Sequence, residues 1–241
     1  MTTAITVLAL PLRAGGSRLE RMRQYRLYDA LMRLPVLAWG AALVLVSLAR
    51  LRDWVDTADP ALTPFTYGIN LAMHLSTIAF CAMIVGAVLL RMRPAARARG
   101  LEPRLSALCG SFLATAVVFF PRHELPLPAE LASVLLVATG YTLASLALFR
   151  LGRSFSIMPE ARRLVTSGMY GLVRHPLYLA EELATIGILL QFLSGWTVLL
   201  CVAHIAFQLR RIHHEEELLA AIFPEYPAYS ARTARLFPGI Y

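Results

Sequence analysis

The stretch GINLAMHLSTIAFCAMIVGAVLL, residues 68–90, contains no Asp, Glu, Lys or Arg. About 20 such residues suffice to cross a hydrocarbon core. Five further apolar runs accompany it, at 31–49, 105–120, 129–149, 178–193 and 196–210. Length alone would allow one or two soluble domains. A chain of 241 residues that is 58% hydrophobic and 16% charged, with a mean hydropathy of +0.60, overrides that prior. The expected fold is all-α: a polytopic transmembrane bundle of about six apolar helices, the last two a short hairpin, ending in a cytoplasmic helical tail. Residues 1–150 would form an N-terminal part of about four spans, and residues 151–241 a C-terminal core. No cleavable signal pattern precedes the first run, so that span is expected to act as an uncleaved targeting signal.

Orientation follows from charge. All 23 basic residues are arginine, and 20 of them fall in four segments: the N-terminus through Arg33, the 91–104 loop, the 150–174 segment and the tail from Arg210. The opposite connectors hold only Arg50, Arg52 and Arg122. The positive-inside rule then places both termini in the cytoplasm, with an even number of crossings. The formal charge of +8 could suggest nucleic acid, but the arginines flank apolar spans. The placement points to anionic membrane lipids as partners and to no nucleic acid. We expect an integral, multi-pass protein of a prokaryotic inner membrane. Cys81, Cys109 and Cys201 lie in apolar runs without a pairing spacing and read as ordinary buried side chains.

The last two runs are each about 16 residues, or about 24 Å of helix, short against a core of about 30 Å. Ser194-Gly195 joins them as a tight turn, giving a hairpin that either spans the membrane at a tilt or re-enters. Either way, LVRHPLYLAEE (172–182) meets RRIHHEEE (210–217) at one cytoplasmic surface. His175-Pro176 reads as a helix start, whose free N–H groups would form an anion site. Glu181 and Glu182 follow in the next turn. Arg211 and Glu215, four apart, share a helical face. Blander readings stand beside these. Arg174 could be a topology anchor, one of the two glutamates a solvated interfacial residue, and HHEEE a polar helix end. His213 and Glu217 have metal-ligand spacing, but no second pair matches it, so no metal is expected. His74 and His204 read as packed, hydrogen-bonded histidines, though ionisable groups at membrane depth are functional candidates by default.

The segments LVT-x-G-x-Y (Leu164 to Tyr170), RHP-x-Y (Arg174 to Tyr178), EE-x-x-L (Glu215 to Leu219), F-x-x-Y-x-x-Y (Phe223 to Tyr229) and a closing Pro238-Gly239 follow in order. This pattern resembles the isoprenylcysteine carboxyl methyltransferase family, a group of integral-membrane methyltransferases related to phospholipid N-methyltransferases. The resemblance covers about the last 90 residues. It implies S-adenosylmethionine as cofactor and a lipophilic methyl acceptor, carboxylate or amine, at the cytoplasmic membrane face. It implies cofactor contacts from Arg162, Arg163, Leu164, Val165, Tyr170, His175, Pro176, Leu177, Tyr178 and Glu215. The residues expected in catalysis are Arg211, facing the acceptor, Glu182, as counter-charge or base, and Arg174. The chain departs from the eukaryotic members in carrying Arg162-Arg163 where they have a His-Thr pair, and GMY where many relatives have GPY. The rival readings are an NADPH-dependent membrane reductase of the related sterol reductase type and a non-enzymatic lipid-binding protein.

Overall fold

The computed structural model describes residues 7–8 and 18–239, with side chains from Arg33 onward. Arg13 of the N-terminal arginine group and Tyr241 lie outside the described residues. The elements run β1 (Val7–Leu8), α1 (Arg18–Thr57), α2 (Pro64–Leu90), β2 (Ala96–Ala98), α3 (Glu102–Phe112), α4 (Leu127–Leu151), β3 (Glu160–Ala161), α5 (Pro176–Gln191), α6 (Gly195–Ile222) and α7 (Tyr226–Arg232). Short 3₁₀ turns occupy Leu113–Phe119, Gly152–Ser154 and Gly168–Gly171.

Among the described residues, three helices are long and apolar enough to cross a membrane: Arg33–Thr57, Pro64–Leu90 and Leu127–Ser154. Large apolar side chains such as Leu45, Leu75, Leu135 and Phe149 stand exposed on their outer faces. That is what a lipid solvent favours and water does not. Local signals set their ends. Thr63 caps α2 by accepting from the Thr66 N–H at 3.2 Å, ahead of Pro64 in the first turn. The run at 105–120 is helical throughout but changes pitch, passing from α3 into a 3₁₀ segment at Leu113. There Thr115 turns its hydroxyl onto the Phe112 carbonyl at 2.5 Å, the back-bonding that disturbs a regular α ladder.

Small residues bring α4 and α5 together. A Cβ built on Gly140 would lie 2.5 Å from the backbone nitrogen of Ala184 and 2.8 Å from the carbonyl oxygen of Ala180. One on Gly187 would meet the Ser133 carbonyl at 2.8 Å. The Ser133 hydroxyl donates across the seam to the Gly187 carbonyl at 2.7 Å and accepts from Gln191. This is the close, hydrogen-bonded approach used by helices that lack a hydrophobic drive to associate in lipid. Gly140→Val is therefore expected to destabilise the pair by about 1–3 kcal/mol or more, since the neighbour is backbone and cannot turn aside. A thermal melt in detergent checks this, with about 2–4 °C lost per kcal/mol for a chain of this size. An unchanged midpoint would refute the seam as described.

Ser194 and Thr197 form a capping box at the start of α6, closing the turn that Ser194-Gly195 signals. The hairpin is not a tight pair: α5 packs chiefly on α4, and α6 on α3. The arm α6 is also longer than the apolar run suggests, continuing as one helix through Ile222. Its first half is inverted. Trp196, Val198, Leu199, Val202 and Ile205 are exposed, whereas Thr197, His204 and Gln208 are buried. Among the described residues, a small antiparallel sheet is the one departure from all-helical architecture. Its order is β1-β2-β3, with Val7 opposite Ala98 and Ala96 opposite Ala161. It packs beside the polar end of α6 through Ala96, Ala98, Ala161 and Leu218.

Candidate functional site

At that polar end a cleft opens with a volume of about 820 Å³, counting the part open to solvent. Its walls are the end of α4, the 154–165 segment, the first turn of α5, residues 215–219 of α6, and Tyr226 and Tyr229 of α7. Nine of the ten residues expected to touch a cofactor line it: Arg162, Arg163, Leu164, Val165, Tyr170, His175, Leu177, Tyr178 and Glu215. Pro176 is buried at the first position of α5 but is not part of the wall.

Two carboxylates organise the floor. Glu216 Oε1 accepts from Arg174 Nε at 2.7 Å and meets His175 Nε2 at 3.1 Å, while its Oε2 pairs with Arg235 at 2.6 Å. Burial alone would push this carboxyl up. The His175 contact, with Arg235 and Arg174, outweighs burial and holds it at about 2. Glu215 Oε1 accepts from the Tyr178 hydroxyl at 2.5 Å and from Arg211 Nε at 3.1 Å. The Arg211 guanidinium lies 4.6 Å above the Tyr178 ring, a cation–π contact. The Tyr178 ring in turn stacks on His175 at 5.5 Å.

The C-terminal tail completes the site. Arg174 donates to the carbonyls of Ser230 and Thr233 at 2.7 and 2.6 Å. The backbone N–H groups of Arg174 and His175 donate to the carbonyls of Ala234 and Arg235. The tail thus takes the backbone donors just ahead of Pro176. The Tyr229 hydroxyl bonds the Tyr170 carbonyl at 2.6 Å, and burial pushes that hydroxyl up to about 12. On the opposite wall Glu160 holds Arg97, Arg162 and the Ser156 hydroxyl.

The three residues expected in catalysis separate. Arg174 lines the cleft. Arg211 sits behind it, 3% exposed, bound to Glu215, to the Ser111 hydroxyl at 2.9 Å and to the Ser156 carbonyl. Its carboxylate partner is Glu215 and not Glu182. Glu182 lies one turn further along α5, paired with His204 Nε2 at 2.9 Å. Sequence reasoning missed Glu216, which holds the wall residues Arg174 and His175, and Arg235, which pairs with it. The signal was present in EEE, where successive residues turn by about 100° on a helix. Glu215 and Glu216 can therefore both face α5. Of the other ionisable residues in this stretch, His214 turns back to Glu102 of α3 at 3.0 Å, and His213 pairs with Glu217 at 3.2 Å.

The residues present suit a small polar ligand with an adenosine-like and an amino-acid-like end. The Ser154 and Tyr170 hydroxyls are buried on the wall without a partner among the described residues, and apolar Leu177, Leu218 and Leu219 lie beside them. A membrane-embedded helical bundle with such a cleft at one end has the architecture of an integral-membrane enzyme. The family model for isoprenylcysteine carboxyl methyltransferases matches residues 133–221. The nickel-cobalt-cadmium resistance protein NccN of Alcaligenes xylosoxydans xylosoxydans is 31% identical over 146 residues, covering 51% of this chain and 68% of that protein. The cobalt-zinc-cadmium resistance protein CzcN of Cupriavidus metallidurans is 39% identical over 80 residues, 32% of this chain and 36% of that protein, so the chain spans about a third of this relative's length. The chain belongs to the isoprenylcysteine carboxyl methyltransferase family.

Proposed function

We propose that the protein transfers a methyl group from S-adenosylmethionine to a lipophilic acceptor, carboxylate or amine, at the cytoplasmic face of the membrane. One observation carries the reading: the cleft gathers the LVT segment, the RHP-x-Y helix start and the glutamate run, three stretches separated in sequence, around one opening. Residues 151–241 form this core on our reading, and residues 1–150 anchor it. The arginine count supports cytoplasmic termini, and the inverted face of α6 supports placing the hairpin in the apolar layer.

The cofactor would supply an electrophilic methyl on a sulfonium. The acceptor's lone pair forms the new bond to carbon as the sulfur–carbon bond breaks, its electrons staying on sulfur. The chain's task is then positioning. His175 and Tyr178 are held rigid by Glu216, Glu215 and each other, and present imidazole and phenol edges to the cleft. Arg162, Arg163 and Arg174 give it cationic walls suited to the ligand's carboxylate, and Glu215 suits its ammonium. The two relatives are named for resistance to cobalt and cadmium along with zinc or nickel; any such setting for this chain would be the context of the methyl transfer.

Equilibrium binding of radiolabelled S-adenosylmethionine to the purified protein, with NADPH as competitor, tests the reading. Saturable binding that NADPH leaves untouched is expected, and displacement by NADPH would favour a reductase. Alanine at His175 or Glu215 is expected to cost about 1.5–3 kcal/mol of cofactor affinity, the range for a charge-assisted hydrogen bond. Unchanged affinity in both variants would remove this site assignment. Incubation of labelled cofactor with a total lipid extract then identifies the product.

A further inference from the structure

The buried face of α6 is polar where a core seam is ordinarily apolar. His204, Gln208, Arg211 and Glu215 recur at heptad spacing, so they form one stripe from the apolar layer up to the cleft. His204 is 4% exposed, Gln208 3% and Arg211 3%. The opposite face carries Trp196, Val202 and Ile205 toward lipid. Polar groups at that depth are retained where something uses them.

What the stripe has left to offer is specific. Arg211 is engaged by Glu215, Ser111, the Ser156 carbonyl and the Tyr178 ring, so the fork that an acceptor carboxylate would need is occupied. On the stripe and at its Glu182 contact, the atoms buried without a partner among the described residues are Glu182 Oε2, His204 Nδ1 and both amide atoms of Gln208, whose Oε1 lies against Gly110 of α3. The His204 contact with Glu182 runs through Nε2. Glu182 Oε2 and Gln208 Oε1 are free to accept hydrogen bonds. Charge points the same way: Glu215 and Glu181 lie by the single guanidinium of Arg211, and Glu182 lies by Glu181. Because α5 and α6 pack mainly on other helices, the Glu182–His204 pair bridges a loosely joined seam. Glu182 is one turn, about 6 Å, from Tyr178 on the cleft wall.

We infer that this seam binds the acceptor's headgroup and takes a lipid-borne ammonium, which passes one proton to Glu182 and so frees the nitrogen lone pair for the methyl, so that the acceptor is a long-chain amine and not a carboxylate. The inference rests on the methyl-transfer reading for the fate of the bound amine, but the site stands on its own geometry. An ammonium brings three donors and a positive charge to the free oxygens of Glu182 and Gln208 in a carboxylate-rich part of the fold.

The test is equilibrium binding of tritiated dodecylamine to the full chain in nonionic detergent, without cofactor, with unlabelled dodecylamine, dodecanoate and butylamine as competitors. Dodecylamine is expected to compete at least about tenfold better than either, a difference of one charged hydrogen bond or more. Butylamine competing as well as dodecylamine would assign the site to a soluble amine and overturn the lipid-borne source. Glu182→Gln is expected to remove most of the specific binding. Gln208→Met is the second variant: a purely structural amide predicts a more stable protein with unchanged binding, whereas the ligand role predicts a more stable protein that binds at least about tenfold more weakly. Dodecanoate competing as well as dodecylamine, or full affinity in Glu182→Gln, would overturn the inference. S-adenosylmethionine binding on the same preparations separates the two ideas. Its absence in the wild type would sink the methyl-transfer reading while leaving the amine preference to stand or fall by its own result.

Discussion

Glu216→Ala is expected to abolish cofactor binding and to destabilise the cytoplasmic half of the protein. One carboxylate, with a side chain 10% exposed, holds Arg174, His175 and Arg235. Removing it leaves two guanidiniums and an imidazole without their counter-charge. Breaking a buried ion pair from one side costs about 3–5 kcal/mol, and here the loss also frees the tail that Arg174 clamps at Ser230 and Thr233. Glu216→Gln keeps the shape and an accepting oxygen, so it is the informative variant if the alanine protein does not accumulate. Acid should do to the wild type what the substitution does at neutral pH. The folded carboxyl is held at about 2, below the ordinary glutamate value of 4.5. Its contribution is therefore fully present above about pH 4.5 and disappears as pH falls toward about 2. The shift corresponds to an upper figure of about 3 kcal/mol, reduced by solvent screening at the cleft mouth. Melting midpoints across that window should fall in the wild type and run flatter in Glu216→Gln. Parallel slopes would show that Glu216 is not the group responsible.

The parts of this molecule that were legible in the sequence are those where local chemistry decides. Pro176 behind His175 fixes the start of α5, Ser194 fixes the start of α6, and each apolar run became helix because the residues within it permit nothing else. The RHP-x-Y and LVT segments pointed to residues that line one cleft. What was hidden depends on rotation and tertiary path. The run at 105–120 looks like its neighbours, yet its pitch changes where Thr115 bonds back to Phe112. The hairpin arms look like partners because a tight turn joins them, but Gly140 and Gly187 draw α5 onto α4 instead. Glu215 and Glu216 are equivalent on paper. Only the position of α5 turns one toward Tyr178 and the other toward Arg174. Arg235 lies in a tail with no motif of its own, and its role depends on strand-like pairing of Val173 with Ala234.

For Arg211, sequence and geometry give different expected results. By sequence it is a deep arginine waiting for an acceptor, so Arg211→Lys should stop turnover and spare cofactor affinity. The geometry gives it other work. Its Nε holds Glu215, a terminal nitrogen holds the Ser111 hydroxyl, and its plane covers the Tyr178 ring. Arg211 is thus a positioning residue for two side chains on the cleft wall. Lysine keeps the charge but offers neither the planar fork nor the stacking surface. Arg211→Lys is accordingly expected to weaken S-adenosylmethionine binding by about tenfold, the loss of one charged hydrogen bond and its orientation. Arg211→Leu removes the counter-charge from Glu215 altogether, at a cost of about 3–5 kcal/mol, and should weaken binding by at least about a hundredfold. A simple topology anchor predicts wild-type affinity and turnover for the lysine variant, because charge alone satisfies the positive-inside rule. Cofactor affinity held while methyl transfer collapses would return Arg211 to the acceptor. Affinity and transfer falling together, with Glu215→Gln giving a similar loss and the double variant adding little, would fix it as the brace of the Glu215–Tyr178 wall.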